Sequence, residues 1–218
     1  MTVAERLAQL RAELAEELAS CGRTHGVRLV AVTKKQPVER IAEAIAAGID
    51  EIGENYLQEA TAKFGALPPV RAHFIGHVQT NKAKAIARAF DVVQSVDRIE
   101  VAAALARAAE GLGKRLDVLL QLNISPAERF GVGSQEAERL AEAIREHPAL
   151  RLAGVMAIGP IAEDRAEISR AFALAAKTFD RIGGSTFSIG MSGDWREAVR
   201  AGSTMLRIGT ALFGPRTA

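Results

Sequence analysis

Short apolar runs alternate with longer amphipathic segments along almost the whole sequence. The apolar runs are rich in Val, Leu and Ile and are bounded by Gly, Pro or polar residues, which is typical of buried strands. Eight strands are predicted, at residues 27–32, 49–52, 72–75, 92–96, 116–122, 150–157, 187–191 and 204–208. Alternating strand and helix units with short loops favour a parallel sheet flanked by helices. Eight such units favour a closed (β/α)8 barrel, or TIM barrel, over an open doubly wound sheet.

One amphipathic segment precedes the first predicted strand. Four leucines recur at helical spacing within residues 3–20, which predicts an additional N-terminal helix. No linker-like stretch divides the 218 residues, and this length suits one barrel. We therefore expect an α/β protein with a single domain over residues 1–218, in which the N-terminal segment 1–22 packs on the barrel.

Charge and cysteine content argue against several classes of protein. The net charge of +2, without a basic block, disfavours a dedicated nucleic-acid-binding protein. The single Cys21 excludes an internal disulfide and a cysteine-based zinc site. The first residues carry charges throughout, unlike a secretory signal, and no apolar run reaches the roughly 18 residues of a membrane span. We expect a cytoplasmic protein without a membrane or nucleic-acid partner.

Two glycine turns follow the last two predicted strands. Ser192, Gly193 and Asp194 supply turn and N-cap residues for a short helix, and Gly209 with Thr210 forms the second turn. Backbone N–H groups that converge from two such turns beside a helix N-terminus bind anions, and the last two strands of a TIM barrel commonly hold a phosphate. The pair therefore predicts a phosphate site, with two ordinary strand-to-helix turns as an equally good alternative.

Lys34 and Lys35 follow the first predicted strand, where a doubly wound sheet would more often carry a glycine-rich loop. We expect Lys34 at the C-terminal end of that strand, inside the mouth of the barrel. Burial there favours the neutral amine, and a neutral amine attacks carbonyl groups. Lys34 is therefore a candidate for a Schiff base with an aldehyde, and a solvated lysine at a strand tip is the alternative.

Other polar residues are predicted at the same end of the barrel. Arg207 lies two residues before Gly209 on the last predicted strand, and an arginine inside a barrel requires an acceptor, either a structural ion-pair partner or a ring nitrogen or oxygen of a ligand. The segment 128–131 is predicted as a loop over the mouth, with Arg129 as a candidate anion contact. The four histidines lie on different elements without carboxylates at ligand spacing, so no metal site is expected.

Seven segments of the chain carry a specific resemblance: LVAVTKKQP, GENYLQEA, HFIGHVQTNK, SVDR, QLNIS, GVMAI and GMSGDWREAVRAGSTMLRIGTALFG. With them the sequence resembles the pyridoxal phosphate homeostasis protein family over nearly the whole chain after the first helix. The resemblance implies a fold-type III barrel, like the N-terminal barrel of alanine racemase, that holds pyridoxal 5'-phosphate (PLP) as an internal aldimine. It implies no catalytic residue and no metal.

The resemblance also implies the residues that hold the cofactor. Lys34 matches the PLP lysine, and Arg207 matches the arginine near the pyridine nitrogen. Asn55 matches the asparagine of the family's Gly-Glu-Asn-Tyr motif. The two glycine turns match the phosphate-binding turns, so the remaining expected cofactor-binding residues are Met191, Ser192, Gly193, Gly209 and Thr210.

The sequence departs from the family pattern in two places. The family reads Lys-Thr-Lys-Pro where this chain has Lys34, Lys35, Gln36 and Pro37, so Gln36 replaces the second family lysine and Lys35 is its nearest substitute. The family's Gly-Pro-Leu-Gln turn reads Gly-His-Val-Gln at residues 76–79. Both departures bear on the transfer of PLP rather than on its binding.

Three functions are compatible with these residues. The resemblance favours a monomeric, non-enzymatic PLP carrier or regulator, with PLP-dependent apoenzymes as recipients. A cation beside the pyridine nitrogen keeps it unprotonated and weakens the ring as an electron sink. The alternative is an amino-acid racemase-like PLP enzyme, but two-base racemases of this fold pair the lysine with a tyrosine from a second domain, whereas the single Tyr56 begins a helix of the barrel. A Schiff-base aldolase acting on a sugar phosphate would share the lysine and the phosphate site.

Overall fold

The computed structural model describes residues 1–125 and 130–215. Eight parallel strands form a closed barrel in sequence order. Their bounds are β1 Arg28–Val32, β2 Glu51–Glu54, β3 Arg71–Phe74, β4 Val92–Val96, β5 Leu116–Asn123, β6 Leu150–Ile158, β7 Thr186–Ser188 and β8 Met205–Ile208. The last strand pairs with the first, so that no edge is left open. The predicted TIM barrel is confirmed.

Helices alternate with the strands around the outside of the barrel. They are α1 Val3–Ser20, α2 Val38–Ala46, α3 Leu57–Lys63, α4 Ala83–Ala89, α5 Ile99–Glu110, α6 Ala137–Arg145, α7 Arg165–Ile182, α8 Trp195–Arg200 and α9 Thr210–Phe213. Short 3₁₀ turns at Phe64–Ala66 and Thr80–Lys82 flank α3 and α4. Among the helices of the described residues, none has the length and apolar content that a membrane crossing requires.

The helix α1 covers one side of the barrel. Its N-terminus is stabilised by a capping box, in which Thr2 and Glu5 exchange hydrogen bonds of 2.9 and 3.1 Å. Its apolar side buries leucines such as Leu7 and Leu10, and the helix contacts α2, α8 and α9. Near its end, Glu17 pairs with Arg200 at 2.7 Å, which fastens α1 to α8.

The second strand differs from its predicted position. The apolar run predicted β2 at residues 49–52, but the strand begins at Glu51 and ends at Glu54. Both glutamates are buried because each has partners from other elements: Arg28 and His73 lie beside Glu51, and Thr33 bonds to Glu54. Hydrophobicity alone does not predict a buried carboxylate. The predicted bounds of β2 therefore lie two residues before the observed ones.

The last two units also differ from prediction. The strand β7 ends at Ser188 rather than at residue 191. Gly190 has a φ of +94°, and a Cβ at this position would lie 2.5 Å from the Cβ of Ala198, so the backbone leaves the sheet where α8 packs closely. The turn predicted at Gly209 and Thr210 continues into the one-turn helix α9.

Candidate functional site

The predicted site residues come together at one end of the barrel. The strands β7, β8, β1 and β2 are neighbours and run parallel, so the loops that follow them share the same end. Lys34 follows β1, Asn55 follows β2, and Arg207 lies in β8. The turns after β7 and β8 carry the other predicted residues, Met191, Ser192, Gly193, Gly209 and Thr210. Four adjacent strands therefore supply all eight residues.

The turn after β1 distinguishes the two lysines. The strand ends at Val32, as predicted, and Lys34 lies in the turn that follows it. The turn is closed by a 3.0 Å hydrogen bond from the Gln36 N–H to the Thr33 carbonyl. Lys34 is half-buried, whereas Lys35 is exposed and has a φ of 59°. Lys34 is thus the lysine in the more shielded position.

A network that the sequence did not reveal supports this turn. Glu54 is fully buried, and its Oε2 accepts a 2.9 Å hydrogen bond from the Thr33 hydroxyl. Its Oε1 accepts the backbone N–H groups of Asn55 and Tyr56 at 2.7 and 3.1 Å. Lys63 Nζ lies 3.6 Å from the same carboxylate and donates to the Thr33 carbonyl at 3.1 Å. The ends of β1 and β2 are therefore held together by one buried carboxylate.

The two glycine turns are joined through a serine. The Ser192 Oγ accepts the backbone N–H groups of Gly209 and Ala211 at 3.3 and 3.1 Å, which brings the turn after β8 against the turn after β7. Gly193 is exposed, and a Cβ at this position would meet no heavy atom within 4 Å. The turns therefore lie side by side, next to open space.

Asp194 has a different role from the predicted one. Its side chain does not cap α8 but accepts the Met191 N–H at 2.6 Å, and so closes the first glycine turn. Burial raises the pKa of Asp194, while the positive charge of Arg207 opposes that rise. The Asp194 side chain thus shapes the turn.

Arg207 lies inside the barrel and is almost completely buried. Its Nη1 donates to the carbonyl and the hydroxyl of Ser188, both at 2.7 Å, and its Nη2 donates to the Ala157 carbonyl at 2.9 Å. Burial lowers the pKa of Arg207 to about 10, against the opposing effect of Asp194, so the guanidinium is protonated at neutral pH. Its acceptors are uncharged oxygens, and the group retains its positive charge.

Asn55 has a buried polar atom whose partner is missing from the described residues. Its Oδ1 is shielded from solvent and accepts no hydrogen bond there. Gly76 packs so closely that a Cβ would lie 2.0 Å from the Asn55 carbonyl oxygen, which holds the backbone in place. Buried acceptors are normally satisfied, so this atom is available to an N–H or O–H group of a ligand or of a water molecule.

A cavity of about 270 Å³ adjoins Asn55. Its lining includes Tyr56, His77 and Lys82. The ring of Phe130 stacks on that of His77, with their centroids 3.8 Å apart. Arg129, the predicted anion contact, lies outside the described residues. No group of three or more His, Cys, Asp and Glu side chains in the described part of the chain is arranged to bind a metal ion.

The sequence matches the family of the alanine racemase N-terminal domain over residues 6–217. A pyridoxal phosphate homeostasis protein from Pseudomonas aeruginosa is 42% identical over 221 residues, which cover 99% of this chain and 96% of that protein. One of the same name from Escherichia coli is 40% identical over 229 residues, which cover 98% and 97%.

Solved structures give the same picture. PipY from Synechococcus elongatus with PLP bound has a TM-score of 0.86 and 34% identity, covering 98% of this chain and 100% of that one. A D-threonine aldolase from Filomicrobium marinum has a TM-score of 0.76 at 21% identity, covering 97% of this chain and 59% of that one. The second likeness shows the barrel fold alone.

Proposed function

The chain belongs to the pyridoxal phosphate homeostasis protein family, and from this premise we propose that it binds PLP covalently through Lys34 and serves as a carrier or regulator of PLP. One observation carries the proposal most directly. A half-buried lysine, a buried protonated arginine, an unsatisfied buried acceptor and two joined glycine turns meet at the C-terminal end of four adjacent strands. The same end of a TIM barrel is where ligands commonly bind.

The residues at this end fit the groups of PLP. The amine of Lys34 suits the aldehyde. The turns bridged by Ser192 suit the phosphate, because their backbone N–H groups and the N-termini of two short helices lie beside them. Arg207 is a donor that suits the pyridine nitrogen, and Asn55 Oδ1 is an acceptor for a polar hydrogen of the ligand. Each kind of group on PLP thus has a matching residue.

The character of Arg207 favours storage over catalysis. When bound, PLP supplies an aldehyde that condenses with a primary amine with loss of water, and a ring that withdraws electrons most strongly when its nitrogen is protonated. A guanidinium has only donors, and its charge disfavours a proton on a neighbouring nitrogen. Arg207 is protonated at neutral pH and would therefore weaken this electron withdrawal.

The position of the single tyrosine also supports a carrier. Tyr56 lies at the N-terminal boundary of α3 and is 50% exposed. A proton-transferring base must reach the reacting atoms and is usually shielded from bulk water. The names of the related proteins describe homeostasis rather than a reaction. We therefore propose binding without catalytic turnover, with weak racemisation as the alternative that the experiment below tests.

The test is a visible absorbance spectrum of the purified protein after addition of PLP, followed by borohydride reduction and peptide mapping. We expect a visible absorption band from the Schiff base with the lysine, and a reduced adduct on the peptide that contains Lys34. A racemisation assay on the same sample, with several amino acids, decides between carrier and enzyme. A sample without a band and without an adduct would refute PLP binding and favour a sugar phosphate as the ligand.

We further propose that residues 1–218 form one domain, that the protein is a monomer in the cytoplasm, and that PLP-dependent apoenzymes receive the cofactor. The contacts of α1 with α2, α8 and α9 support the first point. Light scattering that gives the mass of one chain would support the second. Mixing the PLP-loaded protein with an apoenzyme, and comparing the rate of its activation with that by free PLP, tests the third.

A further inference from the structure

A chain of polar side chains crosses the interior of the barrel beneath the candidate site. It begins at Arg207, whose Nη1 donates to the Ser188 Oγ at 2.7 Å. The Ser188 hydroxyl lies 2.7 Å from Gln94 Oε1, and Gln94 Nε2 lies 2.9 Å from His73 Nδ1. His73 Nε2 approaches Glu51 Oε2 to 3.0 Å, and neither atom has another partner among the described residues.

This chain of polar side chains is shielded from water along its whole length. Its five members come from five strands, β8, β7, β4, β3 and β2, and all are buried. At its far end Glu51 Oε1 accepts a 3.0 Å hydrogen bond from Arg28, which is partly exposed at the N-terminal rim of the barrel. The interior of a TIM barrel is usually filled by Val, Ile and Leu side chains. A continuous chain of buried polar side chains is costly there, which suggests that it has a specific role.

The members of the chain have one consistent direction of donation. Arg207 donates to the hydroxyl oxygen of Ser188, and that hydroxyl donates to the amide oxygen of Gln94. The amide nitrogen of Gln94 then donates to His73 Nδ1, which leaves the ring proton of His73 on Nε2, facing the carboxylate of Glu51. The hydrogen bond to one neighbour thereby fixes where the proton lies on the Ser188 hydroxyl and on the His73 ring.

This direction matters for Arg207. A serine hydroxyl rotates freely and presents either a lone pair or a proton to a neighbour. Because Gln94 Oε1 accepts the Ser188 proton, a lone pair of Ser188 remains aimed at the guanidinium. The guanidinium is thus held on one side by Ser188 and by the Ala157 carbonyl, in one orientation beneath the candidate site.

We propose that Ser188, Gln94 and His73 are positioning residues that hold Arg207 in the orientation it needs toward the ring of the cofactor. The proposal rests on the proposed function for its ligand, but the positioning itself is a property of the protein without PLP. None of the three residues touches the cofactor in this account, and they act through Arg207. A merely structural role would stabilise the barrel without altering the environment of the guanidinium.

The experiment compares the wild type with Gln94→Leu, which keeps a similar volume but has no polar atom, and with Ser188→Ala. Ser188→Thr retains the hydroxyl and tests for rescue. Thr178→Val is the matched control, because Thr178 is fully buried and bonds only the Leu174 carbonyl of its own helix among the contacts of the described residues. Exchange of the Arg207 guanidinium protons is measured by NMR without PLP, and PLP affinity and the absorbance spectrum against pH are measured with it.

In Gln94→Leu and in Ser188→Ala we expect faster exchange of the Arg207 guanidinium protons and a shift in the pH midpoint of the absorbance change. We also expect an approximately tenfold weaker PLP affinity, which corresponds to the loss of one hydrogen bond to a charged group. Ser188→Thr should behave like the wild type, and Thr178→Val should change thermal stability alone. The proposal would be overturned if both Gln94→Leu and Ser188→Ala kept the guanidinium exchange, the PLP affinity and the spectra of the wild type. If Gln94→Leu fails to fold, Ser188→Ala decides by the same criteria.

The two proposals fail in different ways. Absence of PLP binding by the wild type would refute the proposed function, while guanidinium exchange in the protein without PLP would still decide whether the chain positions Arg207. Normal PLP binding with unchanged guanidinium exchange in Ser188→Ala would refute the positioning role and leave the proposed function intact.

Discussion

Two adjacent lysines have different environments in the turn after β1. Lys34 is half-buried at the C-terminal end of the barrel, whereas Lys35 is exposed. The backbone of Lys35 lies in the left-handed region with a φ of 59°, and its N–H donates to Glu59 at 2.8 Å. This bond helps to stabilise a conformation that non-glycine residues seldom adopt. Neighbours in sequence are therefore not interchangeable candidates for the cofactor lysine.

We predict that Lys34→Ala abolishes the borohydride-reducible adduct and leaves the fold intact, because the amine is lost without a change in the turn. The measurement is mass spectrometry of the reduced, digested protein, with circular dichroism as the check on folding. Lys35→Ala is the matched control and should retain the adduct. A full adduct in the Lys34 variant would reassign the cofactor lysine to Lys35.

We predict that Arg207→Glu changes the absorbance spectrum of the bound cofactor. A carboxylate beside the pyridine nitrogen would favour a proton on the ring, whereas the guanidinium disfavours it. The spectrum is recorded against pH, with Arg207→Lys as the variant that preserves the charge. An unchanged spectrum and affinity in a folded Arg207→Glu protein would mean that this side chain does not face the ring nitrogen.

Among the helices, α1 connects elements that are distant in sequence. It packs against α8 and α9, the two short helices whose N-termini follow the glycine turns. Glu17 and Glu13 of α1 pair with Arg196 of α8 at 3.3 and 2.7 Å, and Glu17 also pairs with Arg200. Short helices have little stability of their own, so these contacts help to hold the turns side by side.

We predict that Glu17→Gln lowers the free energy of unfolding by about 1 kcal/mol at neutral pH, because two partly exposed arginines lose a shared partner. Urea denaturation measures this change. Glu16→Gln on the same helix is the control, because Glu16 is exposed and should change stability little. Equal stabilities of the two variants would show that the ion pairs do not fasten α1.

In the molecule as a whole, the two ends of the barrel are built differently. At the N-terminal rim, Asp117 accepts hydrogen bonds from both Arg71 and Arg151, which connects β3, β5 and β6. At the C-terminal end, Asn55 retains an unsatisfied acceptor and Gly193 faces open space. The ion pairs at the N-terminal rim stabilise the barrel, and the polar groups of Asn55 and the glycine turns at the C-terminal end are available to a ligand.

We predict that Asp117→Asn destabilises the fold by about 1–3 kcal/mol at neutral pH without weakening PLP binding. Burial alone would raise the pKa of Asp117, but Arg151 and Arg71 hold it below its usual value of 3.8. The folded state thus binds its proton less readily than the unfolded chain. The stabilisation is present above the unfolded pKa and is lost as the pH falls through the lower folded value.

Urea denaturation at pH 7 and near pH 3, with Asp180→Asn at an exposed site of α7 as the control, measures this effect. The wild type and Asp117→Asn should differ at pH 7, and the difference should become smaller as the pH falls. A pH-independent difference would mean that the carboxylate acts through packing rather than charge. Weakened PLP binding in Asp117→Asn would contradict the view that the N-terminal rim contributes to stability but not to ligand binding.

Local patterns were sufficient for the fold class and for the place of the site. Apolar runs of strand length recur between helical segments, and this periodicity is visible within a few residues of each position. The glycine turns after the last two strands were recognisable for the same reason. Because parallel strands place all their C-terminal ends together, the order of elements was enough to predict that Lys34, Asn55 and Arg207 would meet.

The tertiary structure decided what depends on partners far apart in the chain. The bounds of β2 follow from Glu51 and Glu54, whose burial requires Arg28, His73 and Thr33 from other elements. The acceptors of Arg207, the unsatisfied oxygen of Asn55 and the chain through Gln94 likewise arise only when the barrel closes. A buried polar group is stable only with a suitable partner, and no local pattern shows which distant residue will supply it.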